Sequence, residues 1–397
     1  MSPQRKATGP QREATGHDAA AFLDAAIGHG MLTKACGGEL QKKHRGSGTP
    51  IAQFCVDAGR LTPIQARAID GLLRPESVAD GYEIVGLLGY GGIGVVYRAR
   101  QPSLDRVVAL KTIGGEELAA TSAAARFQQE ARAIARLKHP NIVTAYDYGR
   151  CSGRAADSRF YLAMELVDGT DLDGYIRRRH GPEAVALGER EAWLIVQQVA
   201  AALAHAHEAG IVHRDIKPAN LLLATPPAGY PLPEGVPLVK VTDFGLVQLR
   251  TASAAEHATR LTASGATMGT PNYMAPEQIN DSTVDHRADI YALGATAYHM
   301  LTGAPPYAGQ SLMKVIASKL SGEDDPIVAA ADGLAAPTHR LLAAMMSHSP
   351  DDRPASYRDL LTRVADVLRD GDLDNTTPEG RFTPAPLAGP ELFSNTP

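Results

Sequence analysis

Residues 213–220 of this sequence read His-Arg-Asp-Ile-Lys-Pro-Ala-Asn, and residues 243–245 read Asp-Phe-Gly. The first stretch places the carboxylate of Asp215 two residues before Lys217 and five residues before Asn220. An ordinary polar loop can contain these residue types, but it is not expected to contain them in this order with Asp-Phe-Gly following. The two stretches therefore indicate a catalytic loop and a metal-binding segment.

The side chains of these stretches suit the transfer of a phosphoryl group. Asp215 can accept the proton of an attacking hydroxyl, and Lys217 can neutralise charge on the group in transit. Asn220 and Asp243 offer amide and carboxylate oxygens, which are the ligands that a hard cation such as Mg²⁺ prefers. We expect Asp215 and Lys217 to be catalytic, and Asn220 and Asp243 to hold Mg²⁺.

A glycine-rich stretch lies upstream, where residues 89–94 read Gly-Tyr-Gly-Gly-Ile-Gly and match the pattern GxGxxG. Glycines let backbone N–H groups approach phosphates, but glycine-rich turns also occur in hairpins that bind no ligand. A dinucleotide-binding turn is another alternative, and it would lie between a strand and a helix. Here Val95, Val96 and Tyr97 continue as a second strand. This order favours a hairpin that acts as a lid over phosphates.

Lys111 directly follows the apolar run from Val107 to Leu110. An isolated lysine is more often exposed at the edge of a sheet than buried, because an unpaired ammonium is costly to bury. A partner is available in Glu130, beside the apolar stripe of the following predicted helix. An ion pair between Lys111 and Glu130 would hold the lysine against the phosphates of ATP.

The composition is that of an ordinary globular protein, with 397 residues, 44% of them hydrophobic and 21% charged. The formal net charge of -5 is too balanced to favour a nucleic-acid partner or an anionic membrane surface. Cys36, Cys55 and Cys151 form neither a disulfide framework nor a zinc pattern, which fits a reducing compartment. No apolar signal region or run of ~18 apolar residues is present. The expected location is the cytoplasm, with no membrane span.

The spacing of apolar residues divides the sequence into four parts. Residues 1–16 are polar and predict a disordered arm, whereas residues 17–74 have helical spacing and predict a small helical module. Near Asp80 the spacing becomes that of an antiparallel sheet, and it later returns to helical spacing. Residues 80–369 are therefore predicted to form an α+β domain with a small sheet lobe and a larger helical lobe. The Pro-rich residues 370–397 predict a disordered tail.

The helical module has a clear signal for its last helix. Thr62 can cap the helix, Pro63 suits its first turn, and Gln65 can close a capping box. A regulatory or docking role and a simple packing extension remain alternatives for residues 17–74. Because the chemical motifs lie outside the module, a chain that begins near Val78 is expected to keep its activity.

Further motifs lie downstream of the catalytic loop. Residues 269–271 read Gly-Thr-Pro, 275–277 read Ala-Pro-Glu, 288–291 read Ala-Asp-Ile-Tyr and 352–354 read Asp-Arg-Pro. Together with the motifs above, they make the sequence resemble the bacterial members of the eukaryotic-like Ser/Thr protein kinase family, from about residue 82 to 368. The resemblance implies the bilobal protein kinase fold, preceded here by the helical module.

The resemblance also implies ATP and Mg²⁺ as cofactors and proteins that bear Ser or Thr as substrates. Lys217 is typical of Ser/Thr kinases, and Thr270 resembles the residue that contacts both Asp215 and Lys217. Glu277 and Arg353 resemble a buried ion pair beneath the substrate loop. Within the nucleotide site, the resemblance implies that Met164 is the gatekeeper and that the hinge directly follows it. The residues implied to bind ATP are Leu88, Gly89, Gly91, Gly94, Val96, Ala109, Lys111, the gatekeeper Met164, the hinge residues Glu165 and Val167, and Leu222.

The sequence departs from the family pattern between Asn220 and Asp243, which are 23 residues apart and so further apart than such kinases usually have them. The additional residues are rich in proline, which resists regular hydrogen bonding. We expect residues 224–237 to form an extended surface insertion between two strands, and a solvated loop without a role is the simplest interpretation. The prolines are Pro226, Pro227, Pro231, Pro233 and Pro237.

The loop between the Asp-Phe-Gly and Ala-Pro-Glu motifs offers a possible switch. It contains Thr262 and Ser264, at positions where related bacterial kinases are commonly phosphorylated. The guanidinium of Arg214, directly before Asp215, can pair bidentately with a phosphate. We expect phosphorylation to order the loop and raise activity. A homodimer would allow this phosphorylation in trans. Solvated hydroxyls without a regulatory role are the alternative.

Two other functions are alternatives to an active protein kinase. A pseudokinase scaffold would be favoured by loss of Lys111, Asp215 or Asp243, and all three are present. A small-molecule phosphotransferase is disfavoured by residues 269–271 and 275–277, because these motifs resemble the segment that protein kinases use to hold a peptide.

Overall fold

The computed structural model describes residues 11–91, 94–114, 121–151, 160–179, 187–244, 271–280, 284–322, 326 and 333–370. These residues belong to two compact units. The first unit holds the described residues up to Gly114 together with the described part of 149–163, and the second unit holds the others.

The first unit begins with helices α1 (Gln11–Gly28), α2 (Lys34–His44), α3 (Ile51–Asp57) and α4 (Pro63–Leu73). Helix α1 begins at Gln11, within the arm that the sequence pattern predicted to be disordered, and not at His17. The residues between these positions include Gln, Arg, Glu and Ala, which are good helix formers, so the helix can extend beyond its apolar part.

The predicted start of α4 is confirmed in detail. The backbone N–H of Gln65 donates to Thr62 Oγ1 at 3.3 Å, and the backbone N–H of Thr62 donates to Gln65 Oε1 at 2.8 Å. This reciprocal pair is the capping box, and Pro63 occupies the first turn. The N-terminal end of α4 is therefore held by its own sequence.

A five-stranded sheet follows, with the order β1-β2-β3-β5-β4. The strands β1, β2 and β3 pair as an antiparallel meander. The change from helical to strand spacing near Asp80 is thus confirmed. The strands are β1 (Glu83–Gly91), β2 (Gly94–Gln101), β3 (Arg106–Ile113), β4 (Ala145–Arg150) and β5 (Phe160–Glu165).

The helices and the sheet of the first unit share a hydrophobic core. Ala68 of α4 lies in one buried cluster with Val78, Tyr97, Val108 and Leu110. A chain that begins at Val78 would lose the α4 side of this cluster and would expose apolar surface. The activity of such a chain stays a prediction, and the shared core makes the helices a structural part of this unit.

The second unit is mainly helical and contains a three-stranded antiparallel sheet with the order β6-β7-β8. Its core includes Trp193, which is fully buried and donates its Nε1–H to Thr338 Oγ1 at 2.9 Å. The predicted α+β fold, with helices ahead of it, is confirmed. The elements are α5 (Thr121–Ile134), β6 (Gly169–Asp171), α6 (Leu172–Arg179), α7 (Glu189–Glu208), β7 (Leu221–Ala224), β8 (Leu238–Val241), α8 (Pro276–Ile279), α9 (Arg287–Thr302), α10 (Leu312–Ser321), α11 (Ala336–Met345) and α12 (Tyr357–Asp370).

The Pro-rich insertion joins β7 to β8 as predicted. Half of its residues are exposed, and it returns to the protein at Val236, which is buried. Gln198 Nε2 donates to the carbonyl of Pro237 at 3.0 Å and so fixes the point of return. Among the described helices, none has the length and apolarity that a bilayer crossing requires.

Candidate active site

Lys217 and Asn220 both contact Asp215. Lys217 Nζ lies 2.9 Å from Asp215 Oδ2, and Asn220 Nδ2 donates to the same oxygen at 3.1 Å and to the Asp215 carbonyl at 2.7 Å. The carboxylate is therefore held by one ammonium and one amide through Oδ2. Oδ1 takes part in neither bond, so it can face an incoming hydroxyl.

His213 links this loop to the end of β8. The backbone N–H of Asp215 donates to His213 Nδ1 at 3.2 Å, so Nδ1 is an acceptor and carries no proton. Nε2 lies 2.8 Å from the carbonyl of Thr242, a group that can only accept, so Nε2 carries the proton. The ring is fully buried, and its centroid lies 4.7 Å from that of Phe244. Through His213, the loop therefore contacts Thr242 and Phe244, the two residues on either side of Asp243.

Asp289 of α9 fixes the backbone that leads into Asp215. Its Oδ2 accepts the N–H of His213 at 2.8 Å, and its Oδ1 accepts the N–H of Arg214 at 2.7 Å. Burial raises the pKa of Asp289, and these donors together with the Tyr357 hydroxyl act in the opposite direction. Asp289 is wholly buried, so its bonds are shielded from water.

Arg214 has a strained backbone that its surroundings maintain. Its φ of 67° lies in the left-handed region, which costs a non-glycine residue about 1–2 kcal/mol. Besides the N–H bond to Asp289, the Arg214 carbonyl accepts from Gln278 Nε2 at 2.9 Å. The backbone N–H and the carbonyl of Arg214 are therefore both hydrogen-bonded, and these bonds hold the strained conformation directly before Asp215.

The residues expected to hold a metal ion offer suitable oxygens. Asn220 uses Nδ2 to bind Asp215, which turns the amide so that Oδ1 is directed away from these bonds. The Asn220 carbonyl accepts the N–H of Thr242 at 3.0 Å, so the residue before Asp243 is joined to Asn220. Asp243 itself has a left-handed φ of 65°. An amide oxygen and a carboxylate fit a hard divalent cation.

The glycine-rich turn of the first unit is a hairpin. Gly91 of β1 pairs with Gly94 of β2, and Gly89 pairs with Val96. A Cβ at Gly94 would collide with the carbonyl oxygen of Thr112, so this position requires glycine. The predicted hairpin is confirmed, whereas Gly92 and Ile93 lie outside the described residues.

Lys111 is buried in β3, with 5% of its surface exposed, which excludes an exposed edge lysine. Its strand position lies opposite Val96, next to the glycine-rich turn. Glu130 lies on α5, in the second unit. The Lys111–Glu130 pair stays a prediction.

The residues expected around adenine are distributed over both units. In the first unit, Leu88 and Ala109 are buried and Val96 is half-buried; in the second, Met164 and Val167 are buried, and Glu165 and Leu222 are half-buried.

Glu165 has its own partners in the second unit. Its side chain pairs with Lys240 at 2.9 Å, and its N–H donates to the carbonyl of Thr144 at 2.8 Å. The Glu165 carbonyl is therefore the backbone group of this residue that suits an adenine amino group. Three other expected site residues, Thr270, Thr262 and Ser264, lie outside the described residues.

The expected ion pair between Glu277 and Arg353 is present. Arg353 Nη1 lies 2.6 Å from Glu277 Oε1, and Nη2 lies 2.9 Å from Oε2, so the pair is bidentate. Both residues are buried. Removing one partner from a buried pair leaves the other charge uncompensated, which costs about 3–5 kcal/mol. The pair therefore anchors the Ala-Pro-Glu segment.

Lys319 of α10 is a functional candidate that the sequence analysis missed. Only 1% of its surface is exposed, and Nζ donates to the carbonyls of Asn272 at 2.8 Å and Met274 at 2.6 Å. The same Nζ lies 4.8 Å from the ring centroid of Tyr291 and 5.3 Å from that of Tyr307. The carbonyls and the rings thus hold a buried cation in place of water.

A sequence signal for Lys319 existed but was weak. It lies four residues after Val315, which is buried, so both residues share the inward face of α10. Burial lowers the pKa of Lys319, and the positive charge of Arg353 lowers it further. The ammonium connects α10 to the backbone just after Thr270, the segment expected to hold a substrate.

Comparison with known proteins gives consistent matches. A family model described as "Protein kinase domain" matches residues 82–364. The chain is 38% identical over 283 residues to serine/threonine-protein kinase pkn3 of Myxococcus xanthus, a match that covers 71% of this chain and 49% of that protein. It is 35% identical over 302 residues to serine/threonine-protein kinase PknH of Mycobacterium tuberculosis, covering 76% of this chain and 44% of that protein.

The chain therefore spans about half the length of the curated relatives it matches. Among solved structures, the PknI kinase domain of Mycobacterium tuberculosis matches with a TM-score of 0.54 at 30% identity. That match covers 72% of this chain and 96% of the other. The family match begins at residue 82, after α4 has ended.

Proposed function

Because the chain belongs to the protein kinase family, as one of its bacterial eukaryotic-like Ser/Thr members, we propose that it transfers the γ-phosphate of ATP to Ser and Thr hydroxyls of proteins. The observation that carries this proposal is the convergence of Lys217 and Asn220 on Asp215. A solvated loop would not require this arrangement of a cation and an amide around one carboxylate.

Asp215 is the general base of the proposed reaction. The acceptor oxygen attacks the γ-phosphorus, the bond to the β-phosphate oxygen breaks, and ADP leaves. The hydroxyl proton passes to Asp215, at Oδ1, because Oδ2 is engaged by Lys217 and Asn220. Lys217 is placed to stabilise negative charge on the phosphoryl group in transit.

Members of this family use ATP and a divalent metal ion, and we propose Mg²⁺ for this chain. Asn220 Oδ1 and the Asp243 carboxylate would hold it, since their donor set fits a hard cation. The bound ion supplies positive charge that offsets the phosphate charges. The hydrogen bonds from Asn220 to Asp215 tie the metal ligand to the general base.

The residues proposed to bind ATP are those that the sequence patterns indicate. Backbone N–H groups of the glycine-rich turn at Gly89, Gly91 and Gly94 suit the phosphates, and Lys111, oriented by Glu130, suits them as a cation. The buried apolar residues suit the adenine ring, and the Glu165 carbonyl suits its amino group. The apolar set is Leu88, Val96, Ala109, Met164, Val167 and Leu222.

A protein acceptor is favoured over a small molecule. Lys319 and the Glu277–Arg353 pair hold the backbone between Pro271 and Glu277 at several points, as a surface for a peptide requires. Thr270, adjacent to this segment, is proposed to contact Asp215 and Lys217. The pseudokinase alternative has no observation in its favour, because each catalytic side chain is present.

The test of this function is phosphoamino acid analysis. The full chain is incubated with labelled ATP and Mg²⁺ and a mixed protein substrate, and the labelled amino acids are separated after hydrolysis. We expect phosphoserine and phosphothreonine without phosphotyrosine. Label that appears only on small molecules, or on none of the three amino acids, would refute the proposal.

The domain division and the location remain proposals. We propose residues 80–369 as the kinase domain and residues 17–74 as the module ahead of it, with polar segments at both ends of the chain. A homodimer would permit autophosphorylation in trans. A cytoplasmic location is supported by the three cysteines, each of which is a thiol in the structure.

The Lys319→Met variant is expected to bind peptide more weakly. Methionine keeps most of the length of the side chain but leaves the half-buried carbonyls of Asn272 and Met274 without their donor. Leaving such groups unsatisfied costs about 1–3 kcal/mol, so we expect the KM for a peptide acceptor to rise by about tenfold. The KM for ATP should change by less than about twofold, because the carbonyls that Lys319 binds belong to the acceptor segment and not to the residues proposed to bind ATP.

Lys314→Met is the matched control, because Lys314 is an exposed lysine on the same helix. Both variants are measured with peptide varied at saturating ATP and with ATP varied at saturating peptide. ATP hydrolysis without peptide is measured as well. An equal rise of the KM for peptide and the KM for ATP in Lys319→Met would show general destabilisation. That result would contradict a role of Lys319 in peptide positioning.

We also propose that phosphorylation of Thr262 or Ser264 switches the enzyme on through Arg214. Asp289 and Gln278 fix the backbone of Arg214, so the side chain that carries the guanidinium extends from a fixed Cα. The double variant Thr262→Ala and Ser264→Ala is expected to lose about tenfold in activity after incubation with Mg-ATP, or ~1.4 kcal/mol of transition-state stabilisation. Full activity in this variant would exclude loop phosphorylation as the switch, and wild type treated with a phosphatase is the control.

A further inference from the structure

Helix α4 lies outside the family match yet contacts the strands that carry the ATP-binding motifs. The match begins at residue 82, whereas α4 spans Pro63–Leu73. Its buried residue Ala68 belongs to the same cluster as Val95 and Tyr97 of β2 and Leu110 of β3. Leu110 directly precedes Lys111. The helix therefore packs against the sheet at the strands that are proposed to bind the phosphates.

The approach of α4 to β2 is close. A Cβ at Gly71 would collide with the hydroxyl of Tyr97, so only glycine permits this separation. The Tyr97 hydroxyl lies 3.2 Å from the carbonyl of Arg67 and 3.4 Å from that of Ala68, and it can donate to either. Tyr97 thus fixes α4 along the helix axis as well as in its distance from the sheet.

Two side chains of α4 reach the phosphate-binding elements directly. Arg67 Nη1 donates to the carbonyl of Gly114 at 2.8 Å, just beyond the end of β3. Gln65 Nε2 donates to the hydroxyl of Tyr90 at 3.3 Å, and Tyr90 lies between Gly89 and Gly91 in the glycine-rich turn. One helix therefore contacts both the turn and the end of the strand that carries Lys111.

Helix α4 is itself held in place by contacts within the helical module. Its first turn is fixed by the capping box between Thr62 and Gln65. Ile69 is fully buried among side chains of the other helices, in a cluster that includes Phe22, Leu23 and Cys55. The helical module therefore has a core of its own, so α4 can act as a fixed support for the turn.

We propose that the helical module sets the nucleotide affinity of this kinase, with α4 as the support of the glycine-rich turn and Arg67 as its main positioning residue. This inference rests on the proposed function, because it assumes that the turn and Lys111 bind ATP. Arg67 touches no expected ATP contact itself; it acts through the backbone at Gly114. A change in the helical module would then alter ATP binding without altering the chemistry at Asp215.

The test compares full-length Arg67→Met with the control Arg60→Met, which removes an exposed arginine ahead of α4. Dissociation constants for ATP with Mg²⁺ are measured by titration calorimetry, and KM for a peptide acceptor is measured at saturating ATP. In Arg67→Met we expect the ATP dissociation constant to rise by about fivefold, which is under 1.4 kcal/mol, with the peptide KM unchanged. Arg60→Met should match wild type in both.

Arg67→Lys separates positioning from folding, because a lysine can still donate to the Gly114 carbonyl. We expect an ATP dissociation constant between those of wild type and Arg67→Met. Equal ATP binding in wild type and Arg67→Met, with both folded, overturns the inference. Equal losses of ATP affinity and peptide affinity in Arg67→Met and Arg67→Lys also overturn it. Failure of the wild type to bind ATP would instead refute the proposed function.

Discussion

Asp215→Asn is expected to lower kcat by about a thousandfold, within the range of about 10²–10⁴ that a general base contributes. Asparagine keeps the shape of the side chain, and the bond from Asn220 Nδ2 to the residue 215 carbonyl does not depend on the carboxylate. The variant therefore retains the loop but cannot accept the hydroxyl proton. Its dissociation constant for ATP should stay within about twofold of wild type, because Asp215 is directed at the acceptor.

Two measurements check this expectation. Single-turnover phosphorylation of a peptide gives the rate of the chemical step, and calorimetry gives ATP affinity. Asp352→Asn is a useful control, since Asp352 is an exposed carboxylate of the second unit and lies far from Asp215 in the sequence. A large rise in the ATP dissociation constant of Asp215→Asn, or a rate close to wild type, would be incompatible with the assigned role.

Asp243→Asn is expected to show a comparable loss for a different reason. The carboxylate is the charged member of the proposed metal pair, and its neutral replacement removes a ligand and a negative charge together. We expect activity at ordinary Mg²⁺ concentration to fall by about a thousandfold, as for loss of a major electrostatic contribution to the transition state. The fold should persist, because the Asn220 carbonyl bond to the Thr242 N–H does not involve residue 243.

The distinguishing measurement is the dependence of activity on Mg²⁺. Asp243→Asn should need a higher Mg²⁺ concentration for half-maximal activity, whereas Asp215→Asn should keep the requirement of wild type. Thermal unfolding of both variants is measured alongside. Identical Mg²⁺ curves for wild type and Asp243→Asn would rule out a metal-binding role for Asp243.

The sequence allowed the local features to be predicted because their signals are local. The capping box at Thr62 and Gln65 is set by residues three positions apart, and it forms as expected. The hairpin at Gly91 and Gly94 likewise follows from adjacent strand patterns. The order of Asp215, Lys217 and Asn220 is a pattern within one loop, and these side chains meet in the structure.

Features that depend on distant contacts were not predicted. Nothing near Lys319 indicates that its ammonium lies on the carbonyls of Asn272 and Met274, which are far away in the sequence. The link from Arg67 to Gly114 is equally invisible in a local pattern. Such contacts follow from how elements pack, and a single sequence carries no direct record of that packing.

The start of α1 shows a different limit of the sequence reasoning. Apolar spacing indicates which part of a helix is stabilised by burial, so the spacing alone predicted that α1 starts at His17. Helix propensity extends the element to Gln11 without any apolar signal. Conversely, the burial of Lys111 followed from its apolar strand context, although most isolated lysines are exposed.

Helix α9 explains why the catalytic loop and the acceptor segment depend on one another. Asp289 near its beginning holds the backbone of His213 and Arg214, and two residues later the ring of Tyr291 lies under both Lys319 and Arg353. One buried helix thus positions the general base and supports the substrate segment. Substitutions within it are expected to affect both.

Transfer of label from ATP by the purified full chain is the most direct test of the central claim. The chain is incubated with γ-labelled ATP and Mg²⁺, and every phosphosite on the chain and on a protein substrate is mapped by mass spectrometry, with Asp215→Asn in parallel. We predict label on Ser and Thr residues with wild type and almost none with the variant. A folded wild-type chain that binds ATP yet labels no Ser or Thr, or equal labelling by the variant, would contradict the account.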